Sequence, residues 1–153
     1  MNTQLSIHKS GILQGKAYRI LQNNLAEALT PFELTILEWK TLALITEYKK
    51  LTTVHLARLL DVETPLITRL CKSLNAKKRI QKVTSEKDKR IHYIYPTEKT
   101  MTEIFMIEKS VQQAMGVLLQ GVTLDELKIY KKVLLAISHN GVSKPVKKCY
   151  TIE

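Results

Sequence analysis

At 153 residues the chain is long enough for one domain with a real core and too short for two independent ones. With 44% apolar residues, 25% charged residues, 6% aromatics and five glycines, it falls outside the disordered and fibrous classes. Its formal charge is +10, and the distribution of that charge along the chain matters more than its size.

The first segment, residues 5–28, carries Leu5, Ile12, Leu13, Ile20, Leu21 and Leu25 among polar positions, a pattern that predicts a helix. Thr30-Pro31-Phe32-Glu33 then offers a cap, a proline suited to the first helical position and a glutamate to close a capping box, so a second helix is expected over 31–48. Within it, the richest apolar run, Leu42-Ala43-Leu44-Ile45, falls far short of the roughly 20 residues that cross a bilayer. Thr52 or Thr53 caps a short helix containing Val54, Ala57 and Leu60, ending near Asp61. Thr64-Pro65 is read as opening a fourth helix in the same cap-then-proline manner, with Leu66, Ile67, Leu70, Cys71 and Leu74 as one apolar stripe.

Thr68, Arg69 and Lys72 face away from that stripe. A short helix, a tight connection and a helix with a polar, basic outer face make a helix-turn-helix arrangement. The β-prone runs Ile80 to Thr84 and Ile91 to Tyr95 flank the polar loop Ser85 to Arg90, as in a hairpin, and Pro96 ends the second run. Thr97 begins a helix through about Leu119, with Met101, Ile104, Phe105, Val111, Met115 and Leu118 as its apolar positions. Thr123 to Glu126 is a capping box for a last helix that fades near Asn140-Gly141, followed by a basic tail from Lys144 to Lys148.

Between Glu63 and His92 lie nine lysines or arginines against three acids, +6 of the +10. A basic run by itself is most often a solvated face. Here it falls on the fourth helix and the hairpin, which turns attention to nucleic acid.

Two segments carry a resemblance. Leu56 to Ile80, LARLLDVETPLITRLCKSLNAKKRI, is similar to the helix-turn-helix core of MarR-family regulators, and DKRIHYIYPT is similar to their wing. Asp88 and Arg90 match the family's D-x-R tip, and Thr97 its closing threonine. Lys78 stands where the family usually has a glycine closing the recognition helix, and Pro96 replaces a leucine; a left-handed Lys78 would carry a modest strain. The resemblance implies a mainly α fold with a small β-hairpin wing, in which a winged helix-turn-helix is flanked by N- and C-terminal dimerisation helices. The expected organisation is one domain over 1–153, with a DNA-binding core at 31–97 and dimerisation helices in 1–30 and 98–153.

On those elements Thr64, Thr68, Arg69 and Lys72 are placed for base edges and phosphates in the major groove, where the fork of an arginine suits guanine. Arg90 is placed to enter the minor groove and Lys87 and Lys89 to hold phosphates, while Asp88 orients Arg90. Against these stand the plainer roles of surface salt bridge for Arg69 and solvated turn residue for Arg90.

Other motifs carry less. Gly11-x3-Gly15-Lys16 lacks the length, the following Ser or Thr and the preceding strand of a phosphate loop. His8, His55, His92 and His139 show no ligand spacing with each other or with Cys71 and Cys149, so neither a metal nor another cofactor is expected. Cys71 reads as a buried structural thiol. Trp39, Tyr48 and Tyr18 are expected in the core; their other role, lining a crevice for a small aromatic ligand, is implied by the resemblance alone.

The expectation is a cytoplasmic transcription regulator with no membrane contact, a repressor acting as a homodimer on an inverted repeat of double-stranded DNA and modulated by a small ligand. The alternative is an adaptor that uses its winged helix to bind protein. An enzyme is disfavoured, since no paired carboxylates, nucleophile elbow or nucleotide loop stands in the sequence.

Overall fold

A computed structural model describes residues 7–142. Leu5, the basic tail and Cys149 lie outside the described residues. The chain divides into two units, one running through Leu118 and one from Leu119 onward, and each is described by itself.

In the first unit, α1 (Ile7–Leu29) leads into a 3-10 turn at Thr30–Phe32, followed by α2 (Ile36–Tyr48), β1 (Leu51–Thr52), α3 (Thr53–Leu60), α4 (Thr64–Ala76), β2 (Ile80–Thr84), β3 (His92–Pro96) and α5 (Glu98–Leu118). The strands form an antiparallel sheet in the order β1-β3-β2, with Leu51 opposite Ile94 and Lys82 opposite the same residue on the other side. Leu29, Leu42, Ile45, Leu56, Ile67, Leu74, Ile94 and Ile107 are fully buried and draw every helix of this unit onto one core. The second unit contains α6 (Leu124–Val142), opened by the expected box: Thr123 N donates to Glu126 Oε2 at 2.8 Å and Glu126 N to Thr123 Oγ1 at 3.3 Å.

The capping box of the second helix sits five residues later than expected. Thr30 does not cap; its hydroxyl donates back to Ala26 O, and Glu33 is left-handed with φ 56°. Glu33 N bonds to Thr30 O and Leu34 N to Leu29 O, a Schellman closure that tucks Leu29 and Leu34 into the core together. The box that forms is Thr35 with Glu38: Glu38 N donates to Thr35 Oγ1 at 3.2 Å and Thr35 N to Glu38 Oε2 at 2.9 Å. Asp61 and Lys78 close α3 and α4 in the same left-handed manner, with φ 53° and 56°. Lys78 thus takes the conformation expected where the resembling family has glycine, a strain on the order of 1 kcal/mol.

Four further expectations are corrected. Glu63, not Thr64, is the cap residue of α4, and Thr64 is its first helical residue. Tyr18 and Tyr48 are exposed rather than core, and Trp39 is partly buried against the core. On α5, Phe105 is 74% exposed and Met101 is exposed, while Ile107, absent from the expected stripe, is fully buried. Ile91 lies outside the second hairpin strand, which starts at His92. Strand β1 is an addition; Thr52, at its end, caps α3 by accepting from His55 N at 3.2 Å.

Candidate nucleic-acid interface

Thr64, Thr68, Arg69 and Lys72 are all exposed along α4, while Ile67 and Leu74 on its opposite side are buried. Thr64, Thr68 and Lys72 recur at four-residue spacing and so share one face, with Arg69 beside them. The Thr68 hydroxyl donates to Thr64 O at 3.1 Å, which leaves its lone pairs free to accept from a ligand.

The hairpin is held in register where its strands meet the loop, by Thr84 Oγ1, 3.1 Å from His92 Nδ1, and one step further toward the tip by Ser85 N donating to Ile91 O at 2.8 Å. At the tip Asp88 accepts the Arg90 backbone N–H on Oδ1 at 2.9 Å, with the guanidinium Nε at 3.9 Å. Asp88 therefore fixes the Arg90 backbone more firmly than its side chain, which is 95% exposed. Lys87 and Lys89 are exposed on the same loop. At the other edge of the sheet, Lys50 Nζ lies 4.9 Å from the centre of the Tyr93 ring.

A cleft of about 620 Å³ separates α4 from the hairpin. Thr68 and Lys72 stand on one wall and Arg90 on the other, with Val54, Ile80 and Tyr93 supplying apolar lining. Thr64 borders a separate depression with Arg58 and Glu63, and Arg69, Lys87 and Lys89 border neither.

Two of the nine cations of the basic segment are not available to a ligand. Lys77 Nζ donates to both oxygens of the buried Glu38 at 2.9 Å and to Glu33 O at 2.8 Å. Arg79, 4% exposed, bonds Glu103 and Phe32 O. The other seven, Arg69, Lys72, Lys78, Lys82, Lys87, Lys89 and Arg90, are exposed. Neither Glu38 nor Arg79 was singled out in the sequence; the only signal was the Thr35-x-x-Glu38 spacing, which duplicates Thr30-x-x-Glu33.

Burial pushes the Glu38 carboxyl up, but hydrogen bonds from Ser73 Oγ, the Thr35 amide and Lys77, together with the Lys77 charge, outweigh it and hold the group below its ordinary value. Burial pushes the Cys71 thiol up to about 11, against the opposing pull of the Lys82 charge. Its thiolate fraction at neutral pH falls about a hundredfold; the stronger nucleophilicity of a more basic thiolate returns part of that, leaving a net slowing of about tenfold. Cys71 is thus expected to react with iodoacetamide at pH 8 about tenfold more slowly than a free cysteine peptide. Cys71 is partly buried rather than fully so and borders the cleft described above; mass-spectrometric mapping of Cys71 separately from Cys149 checks the slowing, and a rate equal to the peptide's would contradict the raised pKa.

The model of the family described as transcriptional regulator SarA/Rot matches residues 25–107, from the end of α1 through the winged helix into α5. The chain belongs to the SarA/Rot family of transcriptional regulators.

This SarA/Rot-family chain also shares its fold with solved MarR regulators. A cysteine-to-serine variant of MarR from E. coli, complexed with operator DNA, matches with a TM-score of 0.77 at 22% identity, over 90% of this chain and 99% of that one. A MarR-family transcriptional regulator from Rhodococcus sp. RHA1 gives a TM-score of 0.78 at 18% identity, over 88% and 96%. CouR from Rhodococcus jostii RHA1, bound to p-coumaroyl-CoA, gives 0.76 at 17% identity, over 94% of each chain. The expected MarR-like winged-helix fold is therefore found. Among the described residues of this SarA/Rot regulator, no helix is long and apolar enough to cross a membrane, and no cluster of His, Cys, Asp and Glu could hold a metal ion.

Proposed function

We propose that this regulator binds double-stranded DNA sequence-specifically, as a cytoplasmic homodimer on an inverted repeat, and represses the genes it controls without catalysing a reaction. The observation that carries the reading is the exposed polar and basic face of α4 beside an arginine-tipped hairpin, on an apolar-backed scaffold. In it, Arg69 with Thr64, Thr68 and Lys72 reads the major groove, Arg90 enters the minor groove, and Lys87 and Lys89 hold phosphates. Residues 31–97 form the reading core, and 1–30 and 98–153 mainly dimerise.

The dimer is supported by apolar side chains that are exposed among the described residues: Ile12 and Leu13 on α1, Phe105 and Met106 on α5, and Ile129, Leu134 and Ile137 on α6. That much exposed aliphatic and aromatic surface on long terminal helices suits a two-fold interface. Operator DNA in the MarR complex supports the nucleic-acid partner. A small ligand is supported by the cleft between α4 and the hairpin, apolar inside and rimmed by Lys72, Lys82 and Arg90. A small aromatic anion seated there holds the two reading elements off DNA.

Truncating the two arginines tests the reading, since they fail differently. Arg69→Ala is expected to cost about 1 to 3 kcal/mol on the preferred site and to relax the choice of base there, because a bidentate base contact carries sequence information. Arg90→Ala is expected to weaken binding most where A·T-rich flanks narrow the minor groove. Both residues are exposed, so melting should stay near wild type. Binding of each folded variant to the selected duplex and to a scrambled one is the measurement; wild-type affinity and discrimination in both would refute the mechanism.

A further inference from the structure

Lys77, Lys78 and Arg79 join the reading helix to the wing, and all three are held by other elements of the first unit. Lys77 is tied to Glu38 on α2. The Lys78 carbonyl accepts from Thr97 Oγ1 at 2.8 Å, and the Arg79 carbonyl from Thr97 N at 3.1 Å and from the Thr100 hydroxyl. The Arg79 guanidinium uses both arms: Nη1 donates to Glu103 Oε2 at 2.7 Å, and Nη2 to Phe32 O at 2.9 Å. One side chain thus binds the start of the wing to α5 and to the turn that ends α1.

The burial of this contact sets it apart from an ordinary surface ion pair. The Arg79 side chain is 5% exposed and Glu103 about a third exposed, so the carboxylate cannot leave without stranding a buried cation. A fork between two elements also resists rotation in a way that a single point charge does not. Furthermore, α5 packs along α1, the pair of helices whose uncovered apolar surface supports dimerisation.

We propose that Glu103 is a positioning residue for DNA reading: through Arg79 it fixes the angle between α5 and the reading head, and so the half-site spacing that the dimer accepts. The inference rests on the dimeric DNA-reading function proposed above. Successive half-site spacings differ by one base-pair step, about 3.4 Å, so a shift of a few ångströms in the position of each reading helix is enough to change the spacing that the dimer accepts. A loosened junction therefore blurs spacing before it weakens contact with any one half-site.

The test uses the full-length protein and a set of duplexes: the selected inverted repeat, the same repeat with its central spacer lengthened or shortened by one base pair, and a duplex holding a single half-site. Wild type is expected to prefer the selected spacing. Glu103→Gln is expected to shrink that preference about fivefold or more, within the ordinary range of coupling between sites, while single-half-site affinity stays within about twofold. Arg79→Lys, which keeps the charge but loses the fork, is expected to do the same and stands in if Glu103→Gln does not fold. If the pair only stabilises the fold, the variants melt earlier but keep the wild-type spacing preference; that result overturns the proposal. A wild type that prefers the sequence but tolerates every spacing also overturns it. A wild type that binds all duplexes alike is distinguishable from these, because it removes the DNA-reading function itself.

Discussion

Raising the salt concentration from 50 to 200 mM is expected to weaken binding of this regulator to its preferred duplex by a hundredfold or more. Each neutralised phosphate releases condensed counterions, so the logarithm of affinity falls with the logarithm of salt in proportion to the number of contacts. With only about four phosphate contacts in the whole dimer the slope is about −3.6, and a fourfold rise in salt costs about 150-fold. Seven exposed cations per subunit on the reading helix, its closing turn and the wing are ample for that number, even with Lys77 and Arg79 committed to ion pairs. Fluorescence anisotropy across a salt series gives the slope directly. A flat response would remove this face as the binding surface.

Replacing Glu38 with alanine is expected to cost about 3 kcal/mol of stability, lowering the melting temperature by about 10 °C in a chain of this size. The carboxylate is nearly fully buried and accepts from Ser73 Oγ, the Thr35 amide and Lys77, so its loss undoes the cap of α2 and the tie between α2 and α4 at once. Lys77, about a third exposed, can turn to water, which keeps the cost below that of a fully enclosed pair. Because the Glu38 pKa lies below its ordinary value of 4.5, its contribution is fully present above that pH and is lost as pH falls through the lowered value. Melting followed by circular dichroism should therefore show the gap between wild type and Glu38→Ala narrowing in the acid range below about pH 4.5. A gap that is small at neutral pH, or constant down to strong acid, would contradict the assigned role.

The helices and the hairpin were legible because their signals are local: Thr52 and Thr123 in cap positions, the stripe containing Ile67 and Leu74, and β-prone runs on either side of a polar tip. The exposed residues of α4 were legible for the same reason, as the complement of that stripe. What the sequence hid depends on distant partners. Two Thr-x-x-Glu spacings lie five residues apart, and only the packing of Leu34 and the reach of Glu38 to Ser73 and Lys77 select the second. Arg79 stands beside Lys78, which remains exposed, and only Glu103 and the Phe32 carbonyl, 24 and 47 positions away, distinguish it. Phe105 follows helical spacing but is exposed among the described residues, since periodicity marks an apolar face without saying what covers it. Strand β1, two residues long, is defined wholly by its pairing with β3.

Selection from a random pool of duplex DNA by the wild-type protein tests the central claim most directly. The account predicts enrichment of an inverted repeat whose half-site centres lie about one helical turn, roughly 34 to 36 Å, apart. A pool left unenriched after successive rounds, with weak binding indifferent to sequence, would contradict it and favour a winged helix that docks on protein.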